Sequence, residues 1–523
     1  MFKTETIYIK ILIFLLIIFS NDFIYSQAAS QGKNDPGYRP LFHFTPKKNW
    51  INDPNGLVFY KNNYHLFFQY NPFGDKWGHM SWGHATSKDL IKWKEMQVAI
   101  PEYKNSDNTT TMIFSGNAVV DSFNTTGFGT KRQPSPLVAI YTANITKHDT
   151  GIAQYQNLAY SLDGIKFIQY SKNPVLDVKA KDFRDPKIFW YAPEKKWVMI
   201  VSMPTEHKVQ FYSSGDLKSW TFMSDFGNTG NVDRVWECPD IFELPVINSK
   251  EKKWVITVSA GHPQEGFLAM QYFVGNFNGS LFKLDKMQYP LYVDYGKDFY
   301  AGITYNNIPG MHKRRIMIGW ANDWEYANDI PTKGFRGMMA IPRTLSLKKS
   351  ADGQYLLLQM PVVELEKYRS KILFDKKSAF DLKEFNDLNL TGHALDIEFE
   401  IPKKTIGKTG IKVFKHGNEE TFIYFDAVDN MLKIDRTHSG NVSFNGKFPG
   451  IDSVLIPQSV DDLKFRVLID NSIVEVFIND GEYVLTDLVF PQKRNGLVQF
   501  FATNPEGMQF RKVKVWQMNA LIK

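Results

Sequence analysis

Ser87-Lys88-Asp89-Leu90-Ile91-Lys92-Trp93 is the stretch that decides the fold, because its Ser-x-Asp-x-x-x-aromatic pattern recurs twice further along the chain. The other copies are Ser161-Leu162-Asp163-Gly164-Ile165-Lys166-Phe167 and Ser214-Gly215-Asp216-Leu217-Lys218-Ser219-Trp220. Serine and aspartate side chains can bond the backbone of a tight turn, and the aromatic residue can start the next strand. Each copy therefore predicts the same hairpin of a repeated β unit.

The spacing of the copies, about 74 and 53 residues, fits four-stranded propeller blades with insertions better than a solenoid, whose period is shorter and stricter. Between residues 40 and 345 the sequence has no long amphipathic helical pattern. Short strand-like runs recur instead, such as Gly56–Tyr60 and Tyr64–Tyr70, which predict a hairpin. A large β-sandwich is the alternative architecture for this region.

The pattern changes after residue 346, so we predict a first domain over residues 38–346. A connector with some helical character is predicted over 347–371, and a second β-rich domain over 372–523. In this last region Phe465–Asp470 alternates between apolar and polar residues, and Ile473–Ile478 ends at an Asn-Asp-Gly turn signal. Strands with one buried face and regular turns predict a β-sandwich.

Composition excludes several classes of protein. A chain of 523 residues favours two domains, and 15% aromatic with 22% charged residues indicates a well-packed globular protein. The net charge of +7 is spread without basic runs, which favours solubility over nucleic-acid binding. Cys238 is the only cysteine, so no internal disulfide can form.

The N-terminus has the pattern of a signal peptide. Lys3 and Lys10 precede the apolar run Ile11–Phe19, which is too short to span a bilayer, and the small and polar stretch Tyr25–Ser30 follows. We predict a signal peptide over residues 1–29 and a secreted protein, extracellular or periplasmic, without a membrane anchor. A buried N-terminal helix is the alternative.

Three carboxylates occur in unusual local settings. Asp53 in Asn52-Asp53-Pro54-Asn55-Gly56 and Asp185 in Arg184-Asp185-Pro186 each precede a proline, which biases the backbone toward an extended conformation. Glu237 lies between Trp236 and Cys238. Apolar neighbours disfavour the charged form of a carboxyl group and raise its pKa, which suits a general acid.

Each carboxylate also has a purely structural interpretation. Asp-Pro pairs are common turn elements, and acids often end strands. Asp35, in Asn34-Asp35-Pro36-Gly37, has no strand pattern around it and is predicted to be part of a turn or a disordered tail.

Aromatic and amide residues follow Asp53, and they favour a carbohydrate pocket over a structural role for the three acids. Sugars present C–H faces to rings and hydroxyls to amides and carboxylates. The residues are Gln69, Trp77, His79, Trp82 and His84, with Trp320, Asn322, Asp323 and Trp324 later in the chain. The histidines show no metal-ligand spacing with a supporting acid, so we predict neither a metal nor a cofactor.

With these residues in hand, the chain resembles the β-fructofuranosidases of glycoside hydrolase family 32, the invertases, exo-inulinases and levanases. The resemblance covers nearly the whole mature chain and depends on eight motifs in order. They are Trp50–Gly56, Phe114-Ser115-Gly116, Arg184-Asp185-Pro186, Glu237-Cys238-Pro239, Asp294–Ala301, Gly319-Trp320, Pro342–Leu345 and Asp470–Phe477.

The resemblance implies a five-bladed β-propeller followed by a β-sandwich, and a role for each carboxylate. Asp53 would be the nucleophile, Glu237 the general acid and base, and Asp185 the transition-state stabiliser. These roles fit retaining hydrolysis of a terminal β-D-fructofuranosyl unit of levan, inulin or sucrose. The resemblance also implies a fructose subsite lined by Asn52, Gln69, Trp77, Ser115, Arg184 and Trp320.

One departure from the family pattern is visible, because Phe-Ser-Gly-Ser is Phe114-Ser115-Gly116-Asn117 here. Since the Ser115 hydroxyl is kept, the departure raises a question about leaving-group preference rather than fructose binding.

Two other functions remain open. One is a fructosyltransferase that uses the same covalent intermediate, and the other is a non-catalytic carbohydrate-binding protein. The sequence predicts no oligomeric state.

Overall fold

The computed structural model describes residues 37–262, 267–310, 314–402, 404–457, 462–505 and 510–521. From Tyr38 onward the chain forms a single unit by its backbone contacts. The predicted signal peptide and Asp35 lie outside the described residues.

Five antiparallel sheets carry the chain from residue 49 to residue 361. Blade 1 contains β1 (Asn49–Tyr60), β2 (Asn63–Asn71), β3 (Ser81–Ser87) and β4 (Trp93–Glu95). Blade 2 contains β5 (Tyr103–Lys104), β6 (Thr110–Val120), β7 (Leu137–Lys147), β8 (Thr150–Ser161) and β9 (Ile168–Gln169). Blade 3 contains β10 (Arg184–Tyr191), β11 (Lys196–Met203), β12 (Lys208–Ser214) and β13 (Thr221–Gly227).

The remaining blades follow the same order. Blade 4 contains β14 (Glu237–Pro245), β15 (Lys252–Gly261), β16 (Leu268–Phe277), β17 (Phe282–Leu284) and β18 (Leu291–Tyr292). Blade 5 contains β19 (Tyr300–Thr304), β20 (Arg315–Trp320), β22 (Arg343–Lys349) and β23 (Tyr355–Pro361). Two short 3-10 helices, Ala192–Glu194 and Pro204–Glu206, lie between strands of blade 3.

The ring closes because late strands return to blade 1. Strand β21 (Phe335–Arg336) pairs in parallel with the start of β1, and β19 packs against β1. The inner strands β1, β6, β10, β14 and β19 neighbour one another in turn around the ring. This is the five-bladed propeller that the family resemblance implied, so the alternative of a large β-sandwich for this region is wrong.

The Ser-x-Asp turns join β3 to β4 in blade 1, β8 to β9 in blade 2 and β12 to β13 in blade 3, as the repeat predicted. In blade 1 the Ser87 hydroxyl accepts a hydrogen bond from the Asp89 backbone N–H (3.1 Å), and Asp89 Oδ1 accepts from Ile91 and Lys92 (3.1 and 2.9 Å). The other two copies make equivalent bonds. Each turn thus satisfies its own backbone without a partner strand.

Blade 5 extends past the predicted domain end at residue 346. Strands β22 and β23 both belong to its sheet, and β23 ends at Pro361. The predicted connector over 347–371 therefore consists largely of strand, and its helical part is the 3-10 helix Val363–Tyr368. Tyr355 and Leu357 lie on one face of β23 and are buried in the same apolar cluster, as a strand places alternate side chains on one face.

Two sheets form the C-terminal β-sandwich. The first contains β24 (Arg369–Lys376), β25 (Ala394–Pro402), β30 (Asp462–Asp470), β31 (Ile473–Ile478), β32 (Tyr483–Leu488) and β34 (Arg511–Met518). The second contains β26 (Lys408–His416), β27 (Glu419–Asp426), β28 (Met431–His438), β29 (Ile451–Leu455) and β33 (Leu497–Ala502). Helix α1 (Leu382–Asn386) begins at the capping residue Asp381. The core between the sheets is apolar, with Phe399 stacked on Phe465 at 4.5 Å.

Buried ion pairs join the sandwich to the propeller. Arg343 of blade 5 is fully buried and donates to Asp294 (2.8 Å), to Glu475 of β31 (3.3 Å) and to Thr486 of β32 (2.6 Å). Removing one partner of such a pair leaves an uncompensated buried charge, which typically costs about 3–5 kcal/mol. Three motifs quoted for the family resemblance supply Asp294, Arg343 and Glu475, so part of that pattern encodes the domain interface.

Candidate active site

One backbone irregularity recurs in all five blades and positions the site. The innermost strand of each blade carries one more residue than its neighbour over a four-residue stretch, which is a β-bulge. The stretches are Ile51–Pro54, Ile113–Gly116, Arg184–Lys187, Glu237–Asp240 and Tyr300–Ile303. Because the five strands are neighbours, the bulges bring their side chains to one end of the propeller channel. The three predicted carboxylates all lie in these bulges.

Asp53 is held by donors on both of its oxygens. The Ser115 hydroxyl donates to Oδ2 at 2.6 Å, and the Asn52 amide donates to Oδ1 at 2.9 Å. Asn52 is itself fixed by the Trp50 indole N–H, which donates to its Oδ1 at 2.7 Å. Burial raises the pKa of Asp53, while the bonds from Ser115 and Asn52 oppose this by favouring the charged form. The carboxylate is therefore aimed and polarised before any substrate arrives.

Asp185 is buried and has a strained backbone. Its φ of 66° is left-handed, unlike the extended conformation that the following proline favours, because the bulge imposes it. The Asp185 N–H donates to Thr142 Oγ1 (2.9 Å), and its Oδ2 accepts from the Cys238 N–H (2.9 Å). Burial raises the pKa of Asp185 to about 7; Arg184 opposes the rise, and Glu237 and Asp53 add to it.

Glu237 has charged and phenolic donors and is partly open to the cavity. Arg184 donates to Oε1 from Nε (3.1 Å) and Nη2 (3.0 Å), and the Tyr300 hydroxyl donates to Oε2 at 2.8 Å. Its side chain is 23% exposed, whereas the whole Asp53 residue is 9% exposed. The apolar surroundings expected from Trp236 and Cys238 are therefore wrong for this carboxylate, because Arg184 and Tyr300 donate to both of its oxygens.

Cys238 lies between two of the carboxylates. Its Sγ is 3.5 Å from Asp53 Oδ2 and 3.7 Å from Asp185 Oδ2. Burial raises the pKa of the Cys238 thiol well above its usual value, and the neighbouring negative charges add to this. The thiol therefore stays protonated and can only donate to the two acids.

Eight of the nine predicted site residues line one cavity of about 310 Å³, to which Phe114 and Trp324 also contribute. Trp77 is 42% exposed and packs edge-on against Phe114 at 6.1 Å. Gln69 lies at the wall and donates to Asn55 at 2.7 Å. The eight residues are Asn52, Asp53, Gln69, Trp77, Ser115, Arg184, Asp185 and Glu237.

Trp320 is the ninth predicted residue, and it does not line the cavity. It is fully buried in β20 behind Trp324, at 4.8 Å, and beside Trp50, at 6.0 Å. Trp324 presents its ring to the cavity instead.

Tyr300 was not predicted as a site residue, although it belongs to the quoted motif Asp294–Ala301. It is the first residue of the bulge in blade 5, the position that Glu237 has in blade 4.

Asn117, the departure from the family pattern, lies below the cavity in the propeller channel. Its Oδ1 accepts from the Asn306 amide (2.7 Å) and the Ile188 N–H (3.3 Å), and the residue is 1% exposed. It is absent from the lining of the substrate cavity. The departure therefore changes the packing of the channel and not the walls that a leaving group would meet.

The part of the chain that the structure describes contains no group of three histidine, cysteine or acidic side chains placed to hold a metal ion. No helix among the same residues is both long and apolar enough to cross a membrane.

The chain belongs to glycosyl hydrolase family 32. The model of the glycosyl hydrolases family 32 N-terminal domain matches residues 43–361, and the model of the family 32 C terminal matches residues 364–517. Together they span the propeller and the sandwich. The protein is thus a glycoside hydrolase of the family that the eight motifs indicated.

Curated relatives and solved structures agree with this assignment. The levanase of Bacillus subtilis (strain 168) is 42% identical over 514 residues, which cover 96% of this chain and 73% of the levanase. The extracellular exo-inulinase of Aspergillus niger (strain ATCC MYA-4892 / CBS 513.88 / FGSC A1513) is 37% identical over 488 residues, 87% of this chain and 90% of that protein. The crystal structure of exo-inulinase from Aspergillus awamori has a TM-score of 0.84 at 34% identity, covering 94% of this chain and 100% of that chain.

Proposed function

We propose that the protein is a secreted, retaining exo-β-fructosidase that releases fructose from the non-reducing ends of levan or inulin, from sucrose, or from both. The observation that carries the proposal is the pairing of two carboxylates with unlike surroundings in one cavity. Asp53 is buried and bonded through both oxygens, while Glu237 is more open and bonded by Arg184 and Tyr300. The names of the relatives, levanase and extracellular exo-inulinase, support the substrate class and the secretion.

The first chemical step forms a covalent intermediate. Asp53 attacks the anomeric carbon of the terminal fructosyl unit, and the bond from that carbon to the leaving oxygen breaks as Glu237 delivers a proton to that oxygen. Ser115 and Asn52 keep Asp53 in place and favour its charged form, which is the form that attacks, against the rise in pKa that burial causes.

The second step restores the enzyme. Glu237, now deprotonated, takes a proton from water, and the hydroxide oxygen attacks the anomeric carbon while the bond to Asp53 breaks. The Tyr300 hydroxyl and the Arg184 guanidinium hold Glu237 toward the cavity through both steps. Fructose leaves with the same anomeric configuration as the substrate.

Asp185 has the third role, the recognition of fructose hydroxyls. Its carboxylate accepts from the Cys238 N–H and lines the same cavity as Asp53 and Arg184. A buried acceptor in this place can take hydrogen bonds that strengthen as positive charge develops on the sugar ring. Trp77, Phe114 and Trp324 supply ring faces for the C–H surface of the sugar.

Initial rates on levan, inulin and sucrose test the proposal, with free fructose and oligosaccharides measured separately. The proposal expects fructose as the first product from each accepted substrate, without intermediate-length fragments of the polymer. Fructosyl oligomers as the main product from concentrated sucrose would instead support a transferase. No turnover of any of the three would support a binding protein.

A further inference from the structure

One wall of the substrate cavity is a segment without helix or strand, residues 321–329, which we name the wall segment. It carries Trp324, whose ring lines the cavity and lies 5.9 Å from Trp50 and 4.8 Å from Trp320. The segment is a series of turns, in which the Tyr326 and Ala327 N–H groups donate to the Asp323 carbonyl (3.2 and 2.8 Å). Its position therefore depends on contacts with other parts of the chain.

The wall segment also holds Trp77, a second ring that lines the cavity. The Asn328 side chain accepts from the Trp77 N–H at 3.1 Å, and its carbonyl accepts from Lys76 and from Arg336 (2.7 Å for Arg336). Trp77 is the exposed ring that faces the site. A displacement of the wall segment would therefore move two of the aromatic surfaces that a sugar would contact.

Beneath the cavity the wall segment is fixed by the C-terminal sandwich. Tyr326 is fully buried, and its hydroxyl donates to Asp298 Oδ1 (2.7 Å) and accepts from Arg436 Nη2 of β28 (2.8 Å). Arg436 also binds Asp298 Oδ2 at 2.5 Å. The Phe448 ring of the sandwich packs edge-on against Tyr326 at 5.2 Å.

At the rim the same loop of the sandwich makes polar contacts with the wall segment. The Asn445 amide donates to Asp329 Oδ2 (2.9 Å) and to the Glu325 carbonyl (3.3 Å). Lys447 forms an ion pair with Glu325, which also pairs with Arg234 of the propeller at 2.9 Å. The sandwich therefore contacts the wall segment at Glu325, Tyr326 and Asp329.

We propose that the sandwich sets the substrate affinity of the propeller by positioning the wall segment, with Tyr326, Asn445 and Lys447 as positioning residues and Trp324 as the ring that meets the substrate. The inference rests on the proposed fructosidase function and deepens it. The sandwich residues do not touch the carboxylates. Their loss should therefore weaken binding of the fructosyl substrate more than the chemical step.

The main test is the double variant Asn445→Ala/Lys447→Ala, with Lys464→Ala as the matched control. Lys447 and Lys464 are both sandwich lysines in ion pairs with similarly exposed side chains, 53% and 55%, but Lys464 pairs with Asp480 away from the cavity. We expect KM for the preferred fructan to rise about three- to tenfold in the double variant, as the loss of two modest contacts implies, with kcat within about twofold. The control should keep both constants.

A second variant probes the buried contact. Tyr326→Phe keeps the ring and removes the hydroxyl that joins Asp298 to Arg436. We expect the same rise in KM with near-normal kcat, in addition to a lower melting temperature. A lower melting temperature with unchanged KM would show that the contact is structural only and would overturn the inference at this residue.

A double-mutant cycle decides whether the sandwich acts through Trp324. Trp324→Phe should raise KM by itself, and adding Asn445→Ala/Lys447→Ala to it should raise KM little further. Additive effects, or an unchanged KM in the sandwich variants, would overturn the inference while the wild-type enzyme still released fructose. Failure of the wild-type enzyme to release fructose would instead refute the proposed function.

Discussion

Replacing Ser115 by alanine tests the idea that hydrogen bonds keep the buried nucleophile ionised. The Ser115 hydroxyl lies 2.6 Å from Asp53 Oδ2, and a hydrogen bond to a charged group contributes about 1.5–3 kcal/mol. Since one pKa unit corresponds to about 1.4 kcal/mol, the loss should raise the pKa of Asp53 by about one to two units. The proposed mechanism needs Asp53 deprotonated, so the acidic limb of kcat/KM should move to higher pH by that amount.

The assay is fructose release from the best substrate at low concentration, measured from acidic to neutral pH for wild type and Ser115→Ala. Ser115 also lines the cavity, so kcat/KM should fall at every pH, and only the midpoint of the limb is diagnostic. Ser472→Ala is the matched control, because it removes a buried sandwich hydroxyl that donates to the Tyr38 carbonyl (2.6 Å) and lies outside the substrate cavity. An unchanged or lowered midpoint in Ser115→Ala would refute the reasoning.

Four further outcomes are expected. Asp53→Ala and Glu237→Ala should each lower kcat for fructose release by about a hundredfold or more. Calorimetry should give melting temperatures near that of the wild type, and near-normal turnover in either variant would contradict the role of that residue. Asn117→Ser should leave the ratio of rates on levan, inulin and sucrose unchanged, and a changed ranking would place Asn117 in the leaving-group path. The same variant should lower the free energy of unfolding in urea by about 1 kcal/mol, because the Ile188 N–H loses its side-chain acceptor while the Asn306 amide keeps the Ala118 and Ile188 carbonyls. Trp320→Phe should lower the stability by about 1–3 kcal/mol with KM within about twofold, and a large rise in KM with intact stability would show that Trp320 binds substrate.

The propeller could be predicted from the sequence because its repeated turn is local. Ser87 and Asp89 form hydrogen bonds with backbone groups within a few residues, so the turn can be recognised from the local sequence alone. The repeat did not reveal blades 4 and 5, because their turns depart from the Ser-x-Asp-x-x-x-aromatic pattern. In blade 4 Asn278 takes the aspartate's place and bonds Ser280 and Leu281, and in blade 5 the turn at Asp352 is one residue shorter before the aromatic.

Only part of the candidate site could be predicted from the sequence. The carboxylates stood out through their prolines and aromatic neighbours, but the bulge that aims Asp185 depends on pairing with another strand and has no local signal. Trp320 and Trp324 have similar sequence surroundings. Trp324 lines the cavity and Trp320 is buried because of the path that the wall segment takes after β20, which the sequence does not show. The contact of Arg436 with Tyr326 joins residues far apart in the chain, so periodicity and spacing could not reveal it.

The stereochemistry of transfer to methanol tests the central claim, that Asp53 forms a covalent fructosyl intermediate which Glu237 then resolves. Methanol can capture that intermediate in place of water, and the methyl fructoside does not change its anomeric form as free fructose does. Sucrose turned over in dilute methanol should give methyl β-D-fructofuranoside, identified by NMR. Formation of the α-anomer would mean a single displacement and would contradict the account.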